Sequence, residues 1–491
     1  MGTHPVADIA AARILGEALR SVGYSEAGVC RLLGEEAYSS DSEDALVSER
    51  RLPQTRLGTV VRAFFLQLPV STRAAAGALG RRGVEALEAT ALAEVGDDVA
   101  PRVRILPVGE LLVASDDHPS DDDEEPPDYV AAYTPTSRLC DSLTPRPRVA
   151  RALDVGCGSG VQALLAARHA RQVVATDVNT RALAYTELNA ALNGFTNIEC
   201  RRGGLFEPVA GESFDLITCN APYVVSPENR LVYRDGGLQG DELSERIVRD
   251  AAEHLADGGF GTLIVSWIAD DEDEPDERSL AWTEGIDCDS WILPVWGSDP
   301  LGHAAIWNEQ LVDDGKAFSK ALDDWTHYLA RLGARWVTEG AILLHRRPGG
   351  RHTARVDLVD EDELDDAGDQ IQRAFAARAR LSELRGPSEL LDARLSTSAP
   401  LRLERELEPR GGRAVVAGAC VHLGDGTNTT VEVSANGLEI VAGLDGHMRL
   451  SEVVQAVAER LGLSEKQMAG VRREALTLAR ELLELGALRL D

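Results

Sequence analysis

The chain has 491 residues, too many for one hydrophobic core, and about three domains are expected at roughly 100–200 residues each. Fifty Lys+Arg against 81 Asp+Glu leave a formal charge of −31, which disfavours a bare polyanion as partner at long range. No apolar run reaches the roughly 20 residues that span a bilayer, and Met1-Gly2-Thr3-His4-Pro5 lacks the pattern of a secretory signal. A cytoplasmic protein without membrane association is expected. The seven cysteines are scattered, with no C-x-x-C pair, so neither a disulfide framework nor a metal site is expected.

From the N-terminus, Ile9, Ala12, Leu15, Leu19 and Val22 recur at helical spacing, and a short helix follows from Gly28 to Leu33. Arg56 to Leu68 reads as a third helix. Pro69-Val70-Ser71-Thr72 places a turn and a cap before helices over 73–79 and 81–92. Val95 to Leu112 reads as a two-stranded ribbon around Gly96-Asp97-Asp98. Three short helices and a ribbon predict a winged-helix-like N-terminal domain over 1–118. With few basic residues, its expected role is packing or protein recognition rather than nucleic-acid docking. The acidic run 121–125 and the prolines after it read as a linker.

Over 128–349 strands and helices alternate. The strands end at Val155, Asp177, Arg201, Cys219 and Trp267, with two more predicted at 291–295 and 341–345. Helices are predicted over 161–168, 180–192 and 243–255, with a helix-rich excursion over 304–332. Such alternation implies right-handed crossovers and a mostly parallel sheet covered on both faces, an α/β fold. Residues 355–491 change character: an acidic stretch, a helix over 370–384, strand-like alternation over 415–441, and two helices over 450–461 and 465–485. A C-terminal α+β, winged-helix-like domain is expected there.

Two stretches carry chemistry. In Asp154-Val155-Gly156-Cys157-Gly158-Ser159-Gly160 the glycines let backbone approach a ligand at the carboxyl end of the first strand, beside a helix N-terminus. The G-x-G-x-G spacing, Asp154 two residues before the first glycine and Asp177 at the end of the second strand favour S-adenosylmethionine. Asp154 would meet the cationic amino-acid end, and Asp177, with Val178 beside it, both ribose hydroxyls. After the third strand, Gly204 stands where a carboxylate is typical, so adenine contact falls to backbone groups there and to Leu205 and Phe206.

The second stretch, Asn220-Ala221-Pro222-Tyr223, ends the fourth strand on the same sheet edge. It resembles the Asn-Pro-Pro-Tyr motif of class I methyltransferases that modify planar nitrogens, with Ala221 replacing one proline. Tyr133-Thr134-Pro135 upstream and the Gly236-Gly237-Leu238-Gln239-Gly240 stretch downstream are similar to release-factor (protein N5-glutamine) methyltransferases. Ser137 and Arg138 depart from that family's entry segment.

The resemblance implies a Rossmann-like, seven-stranded class I domain and transfer of a methyl group to a protein glutamine amide. Asn220 and the main-chain carbonyl at Ala221 would accept the hydrogens of the nitrogen, Pro222 would stiffen the loop and Tyr223 would stack on the planar group. Asn220 would also border the cofactor. The alternatives are adenine-N6 or guanine-N2 methylation of RNA, or a non-catalytic scaffold that keeps the cofactor fold. A protein substrate is the leading expectation, with RNA possible as partner and no metal required.

Overall fold

The computed structural model describes residues 8–38, 45–116, 126–220, 222–228, 238–271, 273–349, 352–410 and 412–491. The expected linker at 121–125, the carbonyl of Ala221 and the Gly236-Gly237 pair lie outside the described residues. The chain divides into two compact units: residues 1–140, 147–286 and 296–342 form the first, and 141–146, 287–295 and 343–491 the second. Among the described residues no helix is long and apolar enough to cross a membrane.

The first unit opens with helix Ile9–Ser21, capped by Asp8, whose carboxylate accepts from Ala11 N at 2.9 Å. Glu26–Leu33 follows under a Ser25 cap. The predicted helix from Arg56 runs α-helical only to Val60. It then widens over Val61–Phe65, where Leu66 N bonds to the Val61 carbonyl five residues back at 3.0 Å. Thr72 to Ala89 is interrupted at Gly80, φ 73° and ψ 165°, which separates the two helices expected there. Instead of a single ribbon, two hairpins follow: Ala93–Val95 with Asp98–Pro101, and Arg104–Val108 with Leu111–Ser115. Asp98–Pro101 also pairs with Val70–Ser71, making a small antiparallel sheet with Asp98–Pro101 in the middle.

The main sheet has β1 (Val149–Val155), β2 (Ala170–Asp177), β3 (Ile198–Arg202), β4 (Phe214–Cys219), β5 (Leu255–Ala269), β6 (Cys288–Ser298), β7 (Trp336–Arg346) and β8 (Ala354–Val356). Their spatial order is β8–β6–β7–β5–β4–β1–β2–β3. Among the described residues the sheet therefore has eight strands, not the expected seven; the added β8 is a short edge strand parallel to residues 290–292 of β6. β1 pairs in parallel with β2 and with β4, β2 with β3, and β4 with β5. Chain order reverses at β1, so the loops after β1 and β4 leave the sheet side by side, at the switch point where open α/β sheets bind ligands. Asp215 closes the lower end of that junction: its Oδ2 accepts from Ala150 N and Arg151 N, both at 2.9 Å.

The N-terminal helices and hairpins share one apolar cluster with the sheet's helices. Leu15, Leu19, Phe64 and Leu87 belong to the same buried set as Leu164, Tyr185, Leu188 and Leu192. Gly16 makes the approach possible, because a Cβ there would stand 1.9 Å from the Leu192 carbonyl oxygen. Asn189 on helix Thr180–Leu192 and Asn193, the residue just past its C-terminus, then act as a substitute strand edge. Asn189 accepts from Ala114 N and donates to Ala114 O, both at 2.8 Å; Asn193 does the same with Leu112 at 2.9 and 2.7 Å. The edge of strand Leu111–Ser115 thus finds partners without another strand.

In the second unit, helix Gly368–Glu383 places buried Arg378 over the Trp291 ring at 4.5 Å. The expected strand alternation over 415–441 holds only in part. Arg413–Leu423 pairs with Leu401–Arg410 and with Thr430–Glu432, but Ala435–Ala442 is a helix. Ser434 explains the switch: its hydroxyl caps Asn436 N and Gly437 N, and an N-cap outweighs the β-propensity of Ile440 and Val441. Helices Leu450–Leu461 and Glu465–Glu484 follow. A three-stranded sheet places Arg394–Thr397 between Asp445–Arg449 and Leu488–Leu490.

Candidate active site

The loops after β1, β2, β3 and β4 open onto one cavity of about 920 Å³ inside the first unit. That is near the top of the roughly 300–1,000 Å³ range of ligand sites. It is lined by Asp154, Gly156, Cys157, Gly158, Asp177, Val178, Gly204, Leu205, Asn220, Pro222 and Tyr223, so the two sequence signatures meet there. Gly160 supports the loop from behind. Phe206 does not line the cavity: its buried ring packs against His254, with centroids 4.9 Å apart, which leaves Gly203, Gly204 and Leu205 on that wall.

The glycine loop needs its glycines. Gly156, Gly158 and Gly160 have φ of 67°, 54° and 80°, values that L side chains adopt at a cost. At Gly160 a Cβ would also stand 2.7 Å from Thr186 Oγ1. Thr186 instead donates to the Gly158 carbonyl at 3.2 Å and to Cys157 Sγ at 3.3 Å. Asn189 donates to the Ser159 carbonyl at 2.8 Å, and Ser159 Oγ donates to the Ala132 carbonyl at 3.1 Å. Burial pushes the Cys157 thiol up, which keeps it protonated and unsuited to nucleophilic work.

The two carboxylates hold this loop in shape. Asp154 is 2% exposed; its Oδ2 accepts from Ala163 N and its Oδ1 from Thr218 Oγ1, each at 3.0 Å. It therefore ties β1, β4 and the helix after the glycines together. Burial pushes its carboxyl up to about 7. Asp177 accepts from Gly158 N at 3.0 Å and from Asn179 N at 2.8 Å, and burial raises its pKa as well.

On the other side, Asn220 stands at the exit of β4. Its amide nitrogen makes two long contacts, 3.3 Å to Thr136 Oγ1 and 3.4 Å to Ser137 Oγ. Those hydroxyls belong to helix Pro135–Ser142, whose start Thr134 caps by accepting from Ser137 N at 3.1 Å. The upstream Thr-Pro segment singled out in the sequence thus faces the Asn220 turn directly. Tyr223 is buried, and its carbonyl accepts from Ser266 Oγ of β5.

Sequence reasoning missed several lining residues. Gln162 is 4% exposed; it donates to the Ser137 carbonyl at 2.8 Å, and its Oε1 has no protein partner among the described residues. Trp296, His303, Trp307 and Glu339 line the cavity from the later part of the unit. One signal was legible: Glu339 is the one charged residue in the mostly apolar stretch Val337 to Leu344, where a carboxylate is seldom buried.

The residues present fit S-adenosylmethionine. Close backbone approach at Gly156–Gly160, a side-chain carbonyl left unpaired at Gln162, and the Asp154 and Asp177 carboxyls suit a ligand with a cationic amino-acid end and vicinal hydroxyls. Strand order and loop chemistry together resemble those of class I, S-adenosylmethionine-dependent methyltransferases. Comparison with known proteins agrees. Residues 134–269 match the family described as the Methyltransferase small domain, and residues 21–105 match a domain of unknown function, DUF7059.

Among curated relatives, the chain is 35% identical over 170 residues to the ribosomal protein uL3 glutamine methyltransferase of Bradyrhizobium diazoefficiens, covering 29% of this chain and 52% of that protein. It is 33% identical over 129 residues to the release factor glutamine methyltransferase of Xylella fastidiosa, covering 24% and 47%. To that of Geobacter sulfurreducens it is 35% identical over 134 residues, covering 24% and 46%. The chain spans about half the length of the curated relatives it matches. The domain resembles protein N5-glutamine methyltransferases.

Proposed function

We propose that the protein transfers a methyl group from S-adenosylmethionine to a planar nitrogen, the side-chain amide of a protein glutamine. The observation that carries this reading is the meeting of Asp177 and the glycine loop with Asn220, Pro222 and Tyr223 on one cavity. The names of the curated relatives, uL3 and release factor glutamine methyltransferases, support the choice of acceptor.

In this reading Asp177, Val178, Gly204 and Leu205 hold the nucleoside end. The glycine loop and Gln162 face the amino-acid end, with Asp154 bracing the loop from below. The cofactor supplies an electrophilic methyl group on a sulfonium. An amide nitrogen is a poor nucleophile because its lone pair is delocalised into the carbonyl. Asn220 Oδ1 and the Ala221 carbonyl would each accept one of its N–H hydrogens and orient the lone pair, and Tyr223 would flank the planar group. The contacts at Asn220 Nδ2 support that role. Its two hydroxyl neighbours take the donor end of the amide, which leaves Oδ1 as the end available to an acceptor.

The flanking regions are read as substrate-selecting domains over 1–118 and 355–491, around the methyltransferase domain at 128–349, in a cytoplasmic protein. Helix, strand, helix, helix and two strands, with the last strand in the middle of the sheet, support a winged-helix-like N-terminal module. The element order Ala435–Ala442, Asp445–Arg449, Leu450–Leu461, Glu465–Glu484 and Leu488–Leu490 supports a similar C-terminal one. The net charge of −31 favours protein recognition by these modules.

The test is tritiated-methyl transfer into cell lysate, followed by protease or ribonuclease and acid hydrolysis. Label in protease-sensitive material that acid hydrolysis releases as volatile methylamine, the cleavage product of an N5-methylglutamine amide, is the expected result. Label confined to ribonuclease-sensitive material would overturn the acceptor.

A further inference from the structure

Of the carboxylates that line the cavity, Asp154 and Asp177 are engaged by the glycine loop and the helix after it. The third among the described residues, Glu339, comes from β7 and belongs neither to the cofactor loops nor to the Asn220 turn. Its Oε1 accepts from Trp307 Nε1 at 2.7 Å. Among the described residues no group donates to its Oε2, and no lysine or arginine pairs with it. Arg246, the cation on the cavity wall, is held by Asp250 of its own helix at 3.3 Å. Glu339 is thus a carboxyl, open to the cavity, whose counter-charge the protein does not supply.

His303 adds a second acceptor beside it. Its Nε2 lies 3.1 Å from the Val225 carbonyl, and a carbonyl only accepts, so Nε2 carries the hydrogen. Burial pushes the imidazole down to about 4, which keeps the ring neutral and Nδ1 bare. That Nδ1 stands 3.6 Å from Glu339 Oε1. In the free protein a proton on Glu339 relieves the two facing lone pairs, and burial holds that proton up to about 7. A cation with N–H donors relieves them equally. The Glu339 proton then leaves to solvent, so one positive charge replaces another and no hydrogen is used twice.

The surroundings suit a cation. Trp296, Trp307 and Tyr223 wall the same cavity, and aromatic rings attract a positive charge as aliphatic walls do not. Burial, and then the Glu339 carboxyl, push the Tyr223 phenol up, so Glu339 acts within electrostatic reach of the acceptor side. We infer that Glu339, held by Trp307 and flanked by His303, is the anionic end of a subsite for a lysine ammonium of the acceptor protein. That lysine lies close to the glutamine presented to Asn220; the inference rests on the glutamine reading above and adds that the recognised segment is basic. Trp307 already engages one Glu339 oxygen, which spoils the two-oxygen fork that a guanidinium prefers. An ammonium is compact, and its three donors can turn to one oxygen and one ring nitrogen. The net charge of −31 draws a basic segment in from a distance.

The test uses the ¹⁵N-labelled full chain with S-adenosylhomocysteine and follows the indole N–H signal of Trp307, assigned with Trp307→Phe. Butylammonium, butylguanidinium, butyramide and butyrate are titrated in turn at pH 8. Butylammonium is expected to shift the signal saturably and to bind tighter than butylguanidinium, with butyramide and butyrate at least tenfold weaker. Glu339→Gln keeps an acceptor for Trp307 but loses the charge, and should weaken butylammonium by about tenfold or more, the scale of one charge-assisted hydrogen bond. In the wild type that affinity should rise about tenfold from pH 6 to pH 8 as Glu339 gives up a proton held to about 7. His303 stays neutral and Tyr223 protonated across that range. The rise should vanish in Glu339→Gln.

Equal or tighter binding of any other probe, no saturable shift with butylammonium, or unchanged affinity in Glu339→Gln would each overturn the inference. So would methylated butylamine formed with S-adenosylmethionine, which would make the ammonium the acceptor itself. Should Glu339→Gln fail to fold, a flat pH dependence in the wild type overturns it equally. Failure of the wild type to bind S-adenosylhomocysteine in calorimetry would instead remove the methyl-transfer reading, while the titration at Trp307 still judges the subsite.

Discussion

The two halves of the cavity are built differently. On the glycine-loop side, Asp154 bonds to Thr218 and Ala163, Asp177 to Gly158 and Asn179, and Asn189 to Ser159 and Ala114. On the Asn220 side, contacts stretch to 3.3 and 3.4 Å, and His303 Nδ1 lies 3.6 Å from Glu339 Oε1. One half is a finished hydrogen-bonded scaffold, the other a set of groups that a second molecule would complete. In the proposed reading, a preorganised cofactor side combined with an unfilled acceptor side would let one cofactor site serve whichever substrate the second half selects.

The sharpest way to break that contrast is Asn220→Ala. It should lower kcat by about 10²–10³, the usual loss for one transition-state hydrogen-bond group, while cofactor affinity from calorimetry stays nearly unchanged. Asn189→Ala attacks the finished half. It strands Ala114 N, Ala114 O and Ser159 O at about 1–3 kcal/mol per buried unpaired group, so urea unfolding should show a loss of several kcal/mol and a weaker cofactor site. Gly160→Ala should cost about 1–2 kcal/mol through its positive φ, and cofactor binding should weaken further as the new methyl group presses on Thr186.

The smallest effect is on pH. Burial raises the folded pKa of Glu339 from 4.5 to about 7, so the folded state binds the extra proton in that window. Its contribution to stability is full below about 4.5 and declines as pH rises through about 7. Glu339→Gln should flatten that decline in urea midpoints measured from pH 5 to 8; an unchanged slope would show that another group titrates there.

The cofactor half was legible in the chain because its parts are local. Glycine spacing, an acidic strand end and the alternation of strands and helices all lie within short stretches, so the backbone geometry that they require is encoded beside them. Asn220-Ala221-Pro222-Tyr223 was legible for the same reason. The errors came where distant groups decide. Phe206 was assigned to the adenine wall, but His254, nearly fifty residues away, draws its ring elsewhere. The eighth strand exists because residues 290–292 of β6 accept a partner from 354–356. Helix Ala435–Ala442 looked like a strand because Ile440 and Val441 favour one, until the Ser434 cap settled the matter.

By itself the sequence determined the α/β class, the site of the cofactor loop and the turn that presents Asn220. These follow from φ preferences and hydrophobic period, which act over a few residues. Only the tertiary structure decided that Glu339, His303 and Trp307 share the cavity with Asn220. It also decided that Asn189 and Asn193 complete the edge of a strand some seventy-five residues upstream. Burial is the physical reason in both cases. Far from water, a carboxyl holds its proton to higher pH and an edge amide must find a partner, and no local pattern says which groups the fold will bring within reach.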